Sequence, residues 1–141
     1  MAKFSQKSLD QLATCHDSLQ VLCKEAIKRM DFVVLEGFRN QEKQDEAFRT
    51  GHSKLKWPNG NHNQNPSIAV DIAPYPNPFG NIKDNIYLMG YVLGLADMLF
   101  VIGKMKYRAR VGCDWNQNGK VSDESFVDAC HVELIGVPKA N

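Results

Sequence analysis

Residues 128–134 read D-A-C-H-V-E-L and place a histidine between two carboxylates in an apolar setting. Val132 and Leu134 alternate with His131 and Glu133, the period-2 pattern of a strand with one apolar face. His131 and Glu133 then share the polar face, and Asp128 reaches the same side by lying in the turn before the strand. The segment therefore predicts a last strand that presents titratable groups on one side of a sheet.

The rest of the chain supplies the other elements of an α+β domain. Apolar residues recur at helical spacing from Leu9 to Met30, and Asp17 with Gln20 forms a capping-box pattern at which the helix restarts. Further helices are predicted over about 41–50, capped by Asn40, and from Asp84 to about Phe100, and further strands over 32–39, 68–74 and 107–115. We expect one domain over residues 1–141, with an antiparallel sheet of about four strands flanked by about three helices, and the last two strands as neighbours.

Composition excludes several classes of protein. A net charge of +1 gives no bulk attraction to nucleic acid. The sequence has no apolar tract of about 18 residues and no apolar segment after its amino terminus, which predicts no membrane insertion and no secretory signal. Cys15 and Cys23 lie about 12 Å apart along a helix, too far for a disulfide, so we expect free buried thiols.

Three residues predict a metal site. Asp71 lies inside the apolar strand I-A-V-D-I-A-P, where a carboxylate costs several kcal/mol unless it is paired or bound to a metal. His62 precedes it by nine residues and His131 lies on the last strand. Taken singly, Asp71 would more often be a salt-bridged acid, His62 a solvated loop histidine and His131 a structural histidine. Two histidines and one carboxylate together are a common set for catalytic zinc, with the fourth position left to water.

A hydrolytic zinc site also needs a base and a group that stabilises negative charge. Zinc lowers the pKa of its water to about 7, and a carboxylate must still move the proton to the leaving amine. Asp128 and Glu133 are the candidates for this role, and Glu133 also suits a partner that orients a histidine ring. Arg39 is a candidate for stabilising the tetrahedral intermediate, against the simpler alternative of a surface arginine near a helix cap.

Three longer segments resemble one known family. H-N-Q-N-P-S-I-A-V-D-I-A-P-Y-P, G-C-D-W-N-Q-N-G and D-E-S-F-V-D-A-C-H-V-E-L resemble the VanY/VanX-type zinc peptidases, and among them the small phage endolysins that are L-alanyl-D-glutamate peptidases. The resemblance runs from about Phe4 to Leu134. It implies the hedgehog/D-Ala-D-Ala-peptidase-like fold, zinc on His62, Asp71 and His131, Asp128 as catalytic base, and Arg39 on the substrate carbonyl. Gly60, Ala129 and Cys130 depart from the pattern of many relatives, which affects the substrate contacts.

The resemblance implies an enzyme that cuts the peptide stems of bacterial peptidoglycan between L-Ala and D-Glu. As a phage endolysin, it would be made in the host cytoplasm and act on the wall after a holin opens the inner membrane. We expect a monomer. The alternatives are a D-Ala-D-Ala carboxypeptidase, a non-catalytic zinc-containing module that binds the cell wall, and a protein without metal.

The loop D-W-N-Q-N-G-K-V-S-D-E-S predicts a second cation site. Asp114, Asn116 and Asn118, followed by Gly119, match positions 1, 3, 5 and 6 of a calcium loop. Position 12 is a serine instead of the usual glutamate, and Asp123 is the candidate to replace it. Calcium is therefore a second candidate cofactor, and the alternative is an ordinary polar Asn-Gly turn.

Overall fold

The computed structural model describes residues 2–139, so the ends of the predicted 1–141 domain, Met1 and residues 140–141, lie outside it. The described elements are α1 (Gln6–Leu12), α2 (Asp17–Ala26), β1 (Phe32–Glu36), α3 (Gln41–Arg49), a one-turn 3-10 helix (Asn61–Asn63), β2 (Ala69–Pro74), α4 (Ile82–Val101), β3 (Arg108–Val111) and β4 (His131–Ile135). The predicted α+β class is confirmed. The restart at the second helix is a true break, so four α-helices are described.

The four strands form one antiparallel sheet in the order β1-β2-β4-β3. The predicted pairing of the last two strands is confirmed, with Arg110 opposite Glu133. Asp71 lies opposite His131 on β4 and, after a register shift in β1, opposite Glu36. The sheet therefore brings three polar residues that are distant in sequence into one row across β1, β2 and β4.

The two faces of the sheet differ in chemistry. Alternate strand residues, among them Val70, Ile72, Val132 and Leu134, join the buried hydrophobic core. Helices α2 and α4 contact each other and the strands on this side. The intervening residues, which include Asp71 and His131, point to the opposite face. The core thus fixes the register that gathers the polar residues on the other side.

Local differences from the sequence prediction concern helix and strand ends. His16, rather than Asp17, caps α2, because its Nδ1 accepts from the backbone N–H of Ser18 at 3.0 Å. Asn81 caps α4, which therefore begins before Asp84. The cap of α3 at Asn40 is as predicted. Strands β1, β2 and β3 are shorter than predicted.

Helix α4 is the one described helix that is long and apolar enough to cross a membrane, with a mean hydropathy of 1.3 over its most apolar window. One side of α4 is buried, through Leu88, Met89, Val92, Ala96 and Leu99. These residues pack against α2 and the sheet, as in the core helix of a folded domain. The predicted absence of membrane insertion stays a prediction.

All four cysteines are free, as predicted. Cys15, Cys23 and Cys113 are buried, whereas Cys130 is half-buried. Burial raises the pKa of the Cys15 thiol to about 12, so this group behaves as a small apolar side chain at neutral pH.

Candidate active site

The structure brings His62, Asp71 and His131 together at the centre of the polar face. One ligand atom from each lies within 4.8 Å of the other two. His62 Nε2 is 3.1 Å from Asp71 Oδ1, and His131 Nδ1 is 3.4 Å from the same oxygen. Both histidines are buried, and the Asp71 side chain is only 14% exposed. These residues form a group that can hold a metal ion.

His62 is held in place by the end of β1. Its Nδ1 donates to the carbonyl oxygen of Gly37 at 2.7 Å, which leaves Nε2 facing Asp71. The backbone N–H of Arg39 donates to the carbonyl of His62 at 2.8 Å. A side chain at Gly37 would collide with Thr14 and with the carbonyl of Gln11, because α1 passes directly over it. Because glycine has no side chain, residue 37 can lie against α1 and place its carbonyl where His62 Nδ1 donates to it.

His131 is oriented by a charged pair behind it. Its Nε2 donates to Glu133 Oε1 at 2.7 Å, and the other oxygen of Glu133 accepts from Arg110 Nη2 at 2.5 Å. The Glu133 side chain is 5% exposed. This arrangement turns Nδ1 of His131 towards Asp71 and raises the basicity of the ring, the usual function of a carboxylate behind a metal-binding histidine.

Electrostatics of the group favour a cation at its centre. Burial opposes the charge on Asp71, yet the two histidines hold the pKa of that carboxyl well below its usual range. Burial would lower the pKa of His131, but hydrogen bonds to Asp71 and Glu133 raise it to about 10. Burial would raise the pKa of Glu133, but His131 and Arg110 lower it to about 2. Without a metal, protons supply the positive charge that these carboxylates require.

Asp128 precedes β4 and lines the same groove as the metal-binding group. Its backbone N–H donates to the carbonyl of Gly112 at 2.8 Å, and its carbonyl accepts from the N–H of His131 at 3.2 Å. A Cβ at Gly112 would collide with the Asp128 backbone and lie 3.0 Å from the Cβ of His131. Close packing against Gly112 therefore brings the Asp128 carboxylate within 4.8 Å of that of Asp71.

Arg39 is not the surface arginine that the simpler alternative described. Its side chain is 13% exposed and is fixed by Glu36, with Nε donating to Oε1 at 2.8 Å. Nη1 donates to Gln44 Oε1 at 3.1 Å, and Nη2 lies 3.5 Å from Asp71 Oδ2. The guanidinium thus borders the metal-binding group at the wall of the groove.

A groove of about 530 Å³ opens over these residues. Trp115 stacks on Phe126 with ring centroids 6.3 Å apart, and Trp115 Nε1 donates to the carbonyl of Phe126 at 2.8 Å. Lys54 Nζ lies 4.7 Å from the centroid of the Phe126 ring. The groove thus combines an aromatic wall with a cation beside the buried site.

The predicted calcium residues lie in a loop beside this groove. Asn116 and Asn118 both donate to Asp123 Oδ2, the first at 3.4 Å. Asp114 accepts from the backbone N–H groups of Asn118 at 3.1 Å and Gly119 at 2.9 Å. Asp123 therefore lies next to Asn116 and Asn118, as is required if it replaces the usual glutamate at position 12 of a calcium loop. These same hydrogen bonds also suit a plain turn.

Sequence reasoning missed several residues that support the site. Arg110 pairs with Glu133 and carried a usable signal, because it lies on the strand predicted to neighbour β4. Gln44 gave no such signal. It is 1% exposed and binds Arg39, Asn63 and the carbonyl of Leu55 at once, so it ties α3 to the histidine loop.

Comparisons with known proteins identify the family of this chain. The family described as phage L-alanyl-D-glutamate peptidase matches residues 1–135. No curated protein sequence matches the chain. Among solved structures, the L-Ala D-Glu endopeptidase ChiX of Serratia marcescens is similar, with a TM-score of 0.69 and 20% identity over 95% of this chain and 90% of that chain. At this identity the likeness concerns the fold, whereas the family match covers nearly the whole sequence. The chain therefore belongs to the phage L-alanyl-D-glutamate peptidase family.

Proposed function

We propose that this peptidase hydrolyses the L-Ala–D-Glu bond of peptidoglycan stems as a zinc enzyme, with His62, Asp71 and His131 as the metal ligands. The observation that carries the proposal is the convergence of two imidazole nitrogens on one carboxylate oxygen, at 3.1 and 3.4 Å. The family membership supplies the bond that is cut.

The donor set fits zinc. Two neutral imidazoles and one carboxylate are typical ligands of catalytic zinc, which leaves one position open. The far ring nitrogens already donate to Gly37 and Glu133, so the near nitrogens can present their lone pairs to the metal. Hard cations such as magnesium prefer oxygen ligands throughout, and imidazole favours zinc.

Protein residues supply the remaining chemistry. When bound, zinc polarises the scissile carbonyl and lowers the pKa of a water molecule. Asp128 accepts the proton of the attacking water and returns it to the leaving amine of D-Glu. Arg39 donates to the carbonyl oxygen as it gains negative charge, and Glu36 and Gln44 keep its guanidinium aimed at the site.

The groove supports a stem peptide as the substrate. Its length runs past Trp115 and Phe126, and Lys54 places positive charge along it. Such a charge suits the carboxylates that a D-Glu-containing stem carries. Action on the cell wall follows from the family, and we propose that the enzyme reaches the wall after a holin opens the inner membrane, where it works as a monomer.

We also propose that calcium regulates the enzyme through Asp114, Asn116, Asn118 and Asp123. The loop that holds these residues also contains Trp115 and ends beside Phe126, both of which line the groove. Ordering of the loop by calcium would therefore fix the aromatic wall against which the substrate lies.

Mass spectrometry of purified peptidoglycan tests the proposal. The protein is incubated with the wall in the presence of zinc, and separately with a chelator. New amino termini on D-Glu, formed only with zinc, are the expected result. Release of terminal D-Ala would instead indicate a D-Ala-D-Ala carboxypeptidase. Binding of zinc and wall without any cleavage would indicate a non-catalytic wall-binding module. Cleavage at an equal rate in chelator would show that hydrolysis does not require the metal.

A further inference from the structure

A second group of metal-binding side chains lies beside the first. Asp71, Asp128 and Cys130 each offer one ligand atom, and these atoms lie within 4.8 Å of one another. Cys130 Sγ is 3.1 Å from Asp128 Oδ1, to which the thiol donates. The group combines two carboxylates with a sulfur, which is the kind of donor set that zinc and cadmium bind in proteins.

An unpartnered amide borders the same place. Asp128 and Cys130 line a cavity of about 270 Å³ that also contains Asn85 in its wall. Asn85 is 4% exposed, and its Oδ1 accepts no hydrogen bond from any residue that the structure describes. A buried amide oxygen without a partner is costly, and Asn85 shares the wall of this cavity with Asp128 and Cys130.

We propose that Asp71, Asp128 and Cys130 form a second, weaker site for a thiophilic divalent cation such as zinc or cadmium, with the Asn85 amide as a further oxygen donor. Asp71 belongs to both groups. Its Oδ1 lies 3.1 and 3.4 Å from the two histidines, and one of its carboxylate oxygens lies within 4.8 Å of a ligand atom of Asp128 and of Cys130. Carboxylates that join two neighbouring metal ions are common in two-metal sites.

Occupation of the second site inhibits the enzyme. A cation on Asp128 engages the carboxylate that the proposed function uses as its base, and the thiol proton of Cys130 leaves to solvent. Excess zinc therefore blocks hydrolysis, while the zinc on His62 and His131 remains bound. This consequence rests on the proposed function, whereas the binding of a second cation does not require catalysis.

Equilibrium dialysis of the metal-free full chain against zinc tests the site. Wild type is compared with Cys130→Ala and with Cys23→Ala, whose cysteine lies in the core helix α2 and serves as the matched control. Cadmium is then titrated and followed by the ultraviolet absorbance of a cadmium–sulfur bond, which oxygen ligands do not produce. Circular dichroism checks the fold, and Cys130→Ser replaces the alanine variant if that variant fails to fold.

We expect a tight and a weak zinc ion for wild type and Cys23→Ala, and loss of the weak one in Cys130→Ala. For Cys130→Ser we also expect the dissociation constant of the weak zinc to rise, because a hydroxyl is a harder and weaker ligand for zinc than a thiolate. The cadmium signal and the inhibition by excess zinc should also depend on Cys130. A single zinc on wild type, or an unchanged weak zinc and cadmium signal without Cys130, would overturn the second site alone. A wild type that binds no zinc would overturn both sites.

Discussion

The ion pair of Glu133 and Arg110, which lies behind the His131 ring, allows a specific test of the metal site. Glu133→Gln keeps the shape of the side chain and an oxygen for His131 Nε2, but removes the negative charge. The Glu133 side chain is 5% exposed, and its Oε2 accepts hydrogen bonds from Arg110 Nη2 at 2.5 Å and Nε at 3.2 Å. In the variant, the charge of Arg110 is left without a partner behind the ring, and the ring becomes a poorer donor to a cation.

We expect the zinc dissociation constant of Glu133→Gln to rise about 10- to 100-fold, the usual cost of losing such a partner. This range corresponds to about 1.4–2.7 kcal/mol. Competition with a chromophoric chelator measures the constant. Asp97→Asn is the matched control, because it removes the same charge from an exposed pair with Arg108, 3.3 Å apart and remote from the groove. Equal zinc affinities of Glu133→Gln and Asp97→Asn would refute the reasoning.

Four further outcomes are expected. Asp128→Asn should lower kcat roughly 10²- to 10⁴-fold with zinc still bound stoichiometrically, and retained turnover would assign the base elsewhere. Arg39→Lys should lower kcat roughly 10²- to 10³-fold with little change in KM, because a lysine cannot reproduce the anchored guanidinium; a change in KM alone would indicate a binding role. In chelator, the folded-state pKa of His131 is about 10 against an ordinary 6.5, so its stabilising contribution is complete below pH 6.5 and is lost as the pH rises through 10. Urea unfolding of the metal-free protein should show this loss, and His131→Asn should not. Chelation of calcium alone should lower wild-type activity to that of Asp123→Asn, and an unchanged rate would leave the loop a plain turn.

Much of the fold was predictable because its signals are local. The alternation around His131 and the apolar run around Asp71 predicted β4 and β2, and Asn40 correctly predicted the start of α3. The misplaced starts of α2 and α4 have a common cause. Several neighbouring polar residues can cap each helix, and tertiary contacts decide among them. His16, for example, also packs edge-on against Tyr107, 5.5 Å between ring centroids.

The candidate site was predictable in its members but not in its supports. His62, Asp71 and His131 stand out because each is costly or unusual where it lies. The sheet register brings Asp71 and His131 together, and the hydrogen bond to Gly37 adds His62. The roles of Gly37 and Gly112 depend on close approaches by distant segments, which no local pattern encodes. Supports of this kind become visible only when the strands and helices are packed.

A crystal structure of the zinc-loaded protein, with anomalous diffraction recorded on either side of the zinc absorption edge, shows which residues hold the metal. We expect a strong anomalous peak bound by His62 Nε2, Asp71 Oδ1 and His131 Nδ1, with Asp128 and Arg39 facing its open side. A principal peak in the loop of Asp114 and Asp123, or one bound without either histidine, would contradict the proposed zinc site.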